Sequence, residues 1–345
     1  MHARDTISGT TVCLLTVPET TPFALYGLLE VFRSVGRVWQ ELTGEATGTA
    51  PLEVLVVSAD GRPFTGHGGV PIAPDAAIAD VARADVVVAT DVAIPLASDP
   101  GALWPAEAAW LSRQYAAGAT ICSACSGSLL LGRSGLLDGK PATTHWGAVG
   151  LFRRHLPRVD LRPASVLVTA GEDGRLITAG GASAYEDLAL HLIARLRGRA
   201  EAVRIAKIFL FGDRAEGQLP FAGPTPLRRH EDRAVADAQA WLADHYAVDN
   251  PVSTLIQRSG LAERTFTRRF KAATGLSPIA YLHVLRIEEA KQALETTDDA
   301  VDAIGLEVGY QDPSFFRRLF KRQAGVTPAR YRQRYRNLAR ADRAS

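Results

Sequence analysis

Cysteine is scarce in this chain, with three residues (Cys13, Cys122 and Cys125) among 345. So small and odd a number excludes a disulfide framework and points to a reducing compartment. No apolar run is long and uncharged enough to span a bilayer, which excludes a helical membrane protein. Met1 to Thr10 lack an apolar core, so no signal peptide is expected and the cytoplasm is the expected location. A net excess of either charge is nearly missing as well, with 39 Lys and Arg against 37 Asp and Glu. The formal net charge is +2, which by itself identifies no partner.

What is present describes an ordinary globular protein, 47% hydrophobic and 22% charged, and its length favours two domains. The small charge hides an asymmetry. Residues 226–345 hold 20 Lys and Arg against 15 Asp and Glu, whereas residues 1–225 hold 19 against 22. From Pro313 to Ala341 there are nine basic residues and no acidic one. A run of that kind is a solvated face in most proteins, and on a helical domain it also suits contact with phosphates.

Hydrophobic patterning divides the chain in the same place. Thr11–Val17, Leu52–Ser58, Asp85–Ala89 and Ala119–Ala124 read as buried strands. Between them, 23–38, Pro105–Ala117, Ser126–Arg133, Gly147–His155 and Ser183–Leu196 read as helices. Ser165–Thr169 and Arg175–Thr178 read as a hairpin. Such alternation predicts an α/β domain with a mostly parallel sheet. From Gly212 to His230, glycine and proline break all periodicity, as in a linker carrying a hinge. Beyond it every stretch is helical in period.

That helical part contains a repeat. Val252, Leu255, Ser259 and Gly260 recur 49 residues on as Val301, Ile304, Val308 and Gly309. Phe266, Arg268, Phe270, Lys271, Gly275, Ser277, Pro278 and Tyr281 recur at an offset of 50, from Phe316 to Tyr331. The extra residue falls in a turn, where length varies cheaply. Each unit reads as a short helix, a glycine turn and a second helix, the plan of a helix-turn-helix. Phe266, Phe270 and Ala273 share one face of the first unit's second helix, with Arg264, Thr267, Arg268 and Lys271 outside it. In the second unit Phe316, Leu319 and Phe320 face inward, and Ser314, Arg317, Arg318 and Lys321 face out. Exposed arginine beside an anchored apolar face suits a major groove, where it bonds guanine in a bidentate fashion. A single helix from Pro278 to Leu294, roughly 25 Å long at 1.5 Å per residue, would separate the two. Arg330, Arg332 and Arg336 either touch phosphates or simply solubilise the end.

The stretches ERTFTRRFKAATGLSPIAYL, LRIEEAKQAL and VGYQDPSFFRRLFKRQAGVTPARYR, within about residues 234–335, resemble the AraC/XylS DNA-binding domain. Two departures are Ile256 and Gly305, where that family usually has alanine. Gly305 inside a helix is expected to cost about 0.5–1 kcal/mol and to soften the second unit.

In the first domain the chemically distinctive stretch is Ile121-Cys-Ser-Ala-Cys125-Ser-Gly-Ser128. A strand ends, Cys125 sits in the turn, and a helix starts at Ser126. A helix N-terminus lowers a thiol pKa, which would favour a nucleophilic thiolate, with His145 as base or polar pocket group. The plain alternative is a buried, inert cysteine and a surface histidine. The Cys122-x-x-Cys125 spacing lacks a second pair, so no metal or cofactor is expected. The Cys125-Ser-Gly127 elbow, Gly135-Leu-Leu-Asp-Gly139, Thr143-Thr-His-Trp146 and Thr178-Ala-Gly-Gly181 resemble the ThiJ/PfpI, class I glutamine amidotransferase-like family. With the C-terminal domain, the chain resembles the GlxA-like subgroup of AraC regulators.

The resemblance implies a flavodoxin-like sandwich at 10–211 that senses a ligand and dimerises, a linker at 212–230 and a DNA-binding domain at 231–338. The two helix-turn-helix units would lie at about 251–275 and 300–325. Enzymes of the wider superfamily supply a carboxylate to the elbow cysteine. The corresponding place here is near Ala24, with Glu19 the nearest acid, so the domain is expected to bind without catalysing. Cys125, Ser126, Gly127, His145, Trp146, Gly181 and Ala182 are the expected ligand contacts, and the elbow amides favour an anion. The chain is thus expected to be a cytoplasmic, homodimeric transcription regulator. Its partners would be double-stranded DNA, a small-molecule effector and RNA polymerase. The alternative is a cysteine-dependent hydrolase or isonitrile hydratase-like enzyme fused to a DNA-binding module.

Overall fold

A computed structural model of the chain describes residues 9–95, 98–212, 214–223 and 230–339, the side chains of 336–339 apart. The chain divides into two units between Gln218 and Leu219. Of the stretch expected as a linker, residues 213 and 224–229 lie outside the described residues.

In the first unit the apolar, β-branched runs become strands, and the central ones hide both faces. They are β1 (Thr11–Leu15), β2 (Glu53–Ser58), β3 (Ala76–Ala77), β4 (Val86–Ala89), β5 (Thr120–Ser123), β6 (Leu167–Ala170) and β7 (Leu176–Ala179). They lie in the order β6-β7-β5-β4-β1-β2-β3, and all neighbours are parallel except the β6–β7 hairpin. Cys13 in β1 stands opposite Leu55 on one side and Val87 on the other. Alternate residues feed two cores, as the period-2 geometry of a strand requires. Val12 and Leu14 pack with helices α1 (Pro22–Ser34), α6 (Tyr185–Arg197) and α7 (Arg199–Phe209). Cys13 and Leu15 pack on the opposite face with α3 (Pro105–Ala116), α4 (Gly127–Arg133) and α5 (Val149–His155).

The helix expected over 23–38 is broken. Helix α1 stops at Ser34, and α2 (Val38–Thr43) follows a turn at Gly36 whose amide donates to Glu201 Oε1 at 2.8 Å. Glu201 belongs to α7, a helix that the sequence pattern left unassigned. Its carboxylate is buried, and it also accepts from Thr49 Oγ1 and Arg204. A long-range carboxylate, with no local periodicity to announce it, fixes both departures.

The second unit is helical, with α8 (Arg233–His245), α9 (Pro251–Ser259), α10 (Glu263–Thr274), α11 (Pro278–Thr296), α12 (Val301–Glu307), α13 (Pro313–Ala324) and α14 (Pro328–Ala339). Asp232 caps α8 by accepting from Val235 N, and it holds Arg269 of α10 through two bonds of 2.9 and 2.7 Å. The Arg269 guanidinium keeps the Asp232 carboxyl below the usual carboxylate range. Two aromatic cores follow the repeat. Phe266 and Phe270 meet Tyr281, and Phe316 and Phe320 meet Tyr331. Helix α11, 19 residues long, runs between them as the connecting rod.

Arg286 of α11 is 7% exposed and meets backbone from both repeats. It donates to Tyr246 O at 2.7 Å and Val248 O at 3.1 Å before α9, and to Gly309 O at 2.7 Å in the second turn. Its guanidinium lies 5.2 Å from the centre of the Tyr310 ring.

Gly305 has a packing role. A Cβ added there would stand 2.8 Å from the ring of Phe316, which is fully buried. Alanine would recover about 0.5–1 kcal/mol of helix propensity but force an aromatic ring off its seat, a change that costs about 1–3 kcal/mol. Gly305→Ala is therefore expected to lower stability by about 1 kcal/mol, readable as a fall in urea midpoint at unchanged slope.

Candidate functional site

Parallel strands leave the sheet at one edge, and the ends of β1, β4 and β5 bring three loops together there. Cys125 follows β5 in a strained left-handed conformation with φ of +53°. Gly127 is what permits the elbow, since a Cβ on it would collide with the carbonyl oxygens of Ala89 and Thr90. Ser126 locks the same loop: its Oγ donates to Val92 O at 2.6 Å and accepts from Val92 N at 3.0 Å.

Of the two readings of Cys125, the burial of the sulfur favours the inert one. Cys125 is 7% exposed, and burial pushes its thiol up to about 12, with the charge of Asp91 adding to the rise. Helix α4 has only seven residues, and its dipole does not offset that desolvation. Cys13 and Cys122 are also buried and free, and their thiols are pushed up too. Among the described residues no group of three or more His, Cys, Asp or Glu is arranged to hold a metal.

The carboxylate whose charge acts on the cysteine is Asp91, which the sequence reading missed. Ala24 is fully buried, and Glu19 is occupied as acceptor for Trp104 Nε1 at 2.9 Å. Asp91 is 5% exposed; it accepts from the Thr21 hydroxyl through Oδ2, while Oδ1 is buried without a partner among the described residues. Desolvation pushes its carboxyl up to about 6, against the smaller opposing effects of Thr21, its own backbone and His67. Its charge disfavours a thiolate at Cys125, so the pair does not generate a nucleophile. It also opposes the anion that the elbow amides were expected to favour. The usable signal was position: Asp91 lies two residues past the end of a central parallel strand.

The other expected contacts are held near the elbow by a relay of hydrogen bonds. Ser128 Oγ donates to Thr144 Oγ1 at 2.8 Å, joining α4 to the loop that carries His145 and Trp146. The two rings lie 5.0 Å apart, His145 Nδ1 accepts from Gly147 N, and burial lowers the imidazole pKa. Gly181 and Ala182 lie in the turn before α6, half-buried and exposed respectively. Gln218 ties the 143–146 loop to Ser165 and stands against Gly180. Nothing in its sequence surroundings marked it.

In the second unit the expected DNA contacts divide between two helices. On α10, Arg264, Arg268 and Lys271 are exposed and Thr267 is half-buried, opposite buried Phe266 and Phe270. On α13, Ser314, Arg317, Arg318 and Lys321 are all exposed, opposite Phe316, Leu319 and Phe320. Arg317 is tied to Asp302 at 2.7 Å, which reduces its freedom to reach a base. Arg332 donates to the Asp299 carbonyl, and the side chain of Arg336 lies outside the described residues. An open groove of about 510 Å³ lies apart from both sets. It is lined by Asp237, Trp241, Leu255, Arg258 and Ser259.

Residues 11–195 match the DJ-1/PfpI family, and residues 255–334 match a helix-turn-helix domain. The HTH-type transcriptional regulator CdhR of Pseudomonas aeruginosa is 28% identical, over 80% of this chain and 80% of its own length. The regulator GbdR of the same species is 25% identical, over 80% of this chain and 74% of its own. The regulator GlxA of Rhizobium meliloti is 25% identical, over 65% of this chain and 68% of its own.

Asp91 gives a pH test. Its folded pKa of about 6 lies above the model-peptide value of 3.8, so the native state holds the proton more tightly. Its contribution to stability is full below about pH 4 and falls away as pH rises through about 6, a change of about 3 kcal/mol for two pKa units. Asp91→Asn should therefore gain relative to wild type by about 2–3 kcal/mol in urea unfolding at pH 7 compared with pH 4. An identical difference at both pH values would exclude a raised Asp91 pKa.

Proposed function

Since the chain belongs to the DJ-1/PfpI family and carries an AraC-type helix-turn-helix domain, we propose how this DNA-binding transcription regulator works. It acts as a regulator rather than an enzyme. Helices α10 and α13 enter successive major grooves, and a small-molecule effector binds beside the Cys125 elbow in the catalytically silent first unit. The observation that carries the DNA part is the duplicated helix with a buried aromatic anchor and an exposed cationic face. Arg268 and Arg318 occupy the same place in the two copies and are the base readers. Arg264, Lys271 and Lys321 supply phosphate contacts, with Thr267 and Ser314 beside them. The rod between the copies is about 28 Å long at 1.5 Å per residue, close to the roughly 34 Å of one DNA turn.

Ser126, Gly127, His145, Trp146, Gly181 and Ala182 surround the effector, with Cys125 as a buried neighbour and not a nucleophile. To regulate, the effector must favour one arrangement of the DNA-binding units over another. The working form is a homodimer that also meets RNA polymerase. Among the described residues no helix is long and apolar enough to cross a membrane, in keeping with action on DNA.

The test starts with capture of fragmented source DNA by the full chain, which should yield a discrete motif. On that operator Arg268→Ala and Arg318→Ala should each cost about 1–3 kcal/mol and relax preference at one position. Arg317→Ala should cost less, because Asp302 already engages that side chain. Full affinity and full preference in either of the first two variants, in a gel shift at fixed salt, would remove that helix from the groove.

A further inference from the structure

The last residues of the first unit are fastened to the loops that carry the expected effector contacts. Gln218 is 3% exposed and uses its whole amide. Its Nε2 donates to Thr144 O at 2.9 Å, and to Thr143 Oγ1 and Ser165 O, both at 3.1 Å. Its Oε1 accepts from Trp146 N at 3.2 Å, and its own amide N donates to Ala164 O at 3.1 Å. The amide lies so close to Gly180 that a Cβ there would stand 2.6 Å from Nε2. Four residues earlier, Arg214 meets Glu186 at 2.5 Å and Asp187 at 3.1 Å, in the first turn of α6 just beyond Gly181 and Ala182. Gly217 between them has φ of +76° and a Cβ position filled by the Ala164 carbonyl. A solvated linker has no need of such fit.

The residues that follow belong to the other unit. Pro220 O accepts from Tyr335 Oη at 2.7 Å, and Ala222 O from Lys291 Nζ at 3.1 Å. Leu219 opens the second unit as the first residue of a short 3-10 turn, its carbonyl accepting from Ala222 N at 3.1 Å, so the Gln218–Leu219 peptide joins an amide buried in the first unit to backbone fixed in the second.

We propose that Arg214–Gln218 is a latch that couples the 143–146 loop and the turn before α6 to the DNA-binding unit, with Leu219 as the joint. An effector touching His145, Trp146, Gly181 or Ala182 moves the partners of Gln218 and Arg214. The latch then seats or releases, and the start of the second unit moves with it. This rests on the reading that the effector binds at the elbow. The coupling itself is reciprocal, so DNA must perturb the loop as the effector perturbs the DNA-binding unit.

Reciprocity allows a test that contains no effector. The full chain is bound to its captured operator, and amide hydrogen exchange is followed by mass spectrometry over 143–148, 164–166 and 214–222. In the wild type, operator binding should change exchange over 143–148 by threefold or more. In Gln218→Leu, and separately in Gly217→Ala, operator affinity should stay within about threefold while the response at 143–148 disappears. The Gly217 variant leaves the glutamine amide intact, and it guards against the first variant failing merely through orphaned buried partners. No change at 143–148 in the wild type, or the same change in both variants, overturns the latch. Failure of the elbow reading would look different. The exchange coupling would persist, while substitutions at His145 and Trp146 left the transcriptional response to the effector intact.

Discussion

A parallel sheet obliges every strand end to feed a loop at the same edge, and the first unit is organised around that constraint. Strands β1, β4 and β5 lie side by side, so the segments after Leu15, Ala89 and Ser123 must share a small volume. Room is made by the missing side chain of Gly127, and order by the reciprocal bonds between Ser126 and Val92. The crowding has a chemical consequence. Water is excluded, Asp91 and Cys125 are both desolvated, and each holds its proton more tightly than in solution. The elbow thus holds a buried thiol whose ionised form the Asp91 charge disfavours.

The second unit answers to a different demand, that two small helical repeats keep a fixed spacing. Each repeat has its own aromatic core, and neither core alone sets the other's position. Helix α11 supplies the distance and Arg286 the fastening, since one guanidinium satisfies carbonyls that precede α9 and the turn that precedes α13. Among the described residues no carboxylate pairs with it through a hydrogen bond. Planar, multiply donating arginine suits this task, because three acceptors at different angles are met by one rigid group. Gly305 contributes in the same way, by letting Phe316 close against the first helix of its own unit.

Much of this was legible in the chain itself. The strand runs, the hairpin, the cysteine elbow and both helix-turn-helix units followed from period, turn residues and the 49- and 50-residue repeat. The inward and outward faces of α10 and α13 could be assigned because Phe266, Phe270, Phe316 and Phe320 recur at helical spacing. What was not legible shares one property. Asp91, Glu201, Gln218 and Arg286 are polar residues whose partners are distant in sequence, and pattern reading treats such residues as surface. The thiol at Cys125 stayed open between a reactive and an inert reading for a related reason. Helix position is visible in sequence, whereas desolvation is a property of everything packed around the sulfur.

The sequence by itself determined the class of each half and the cationic faces of α10 and α13. Those depend on local periodicity and on composition, both of which are one-dimensional. Only the tertiary structure decided that the elbow is electrostatically quiet, that Arg286 clasps the two repeats and that Arg317 is partly spent on Asp302. It also decided that Gln218, in a stretch with the composition of a linker, is buried and fully bonded. The physical reason is common to all four. Burial and charge pairing are set by neighbours in space, and a parallel sheet or a helical repeat gathers those neighbours from segments that the chain keeps far apart.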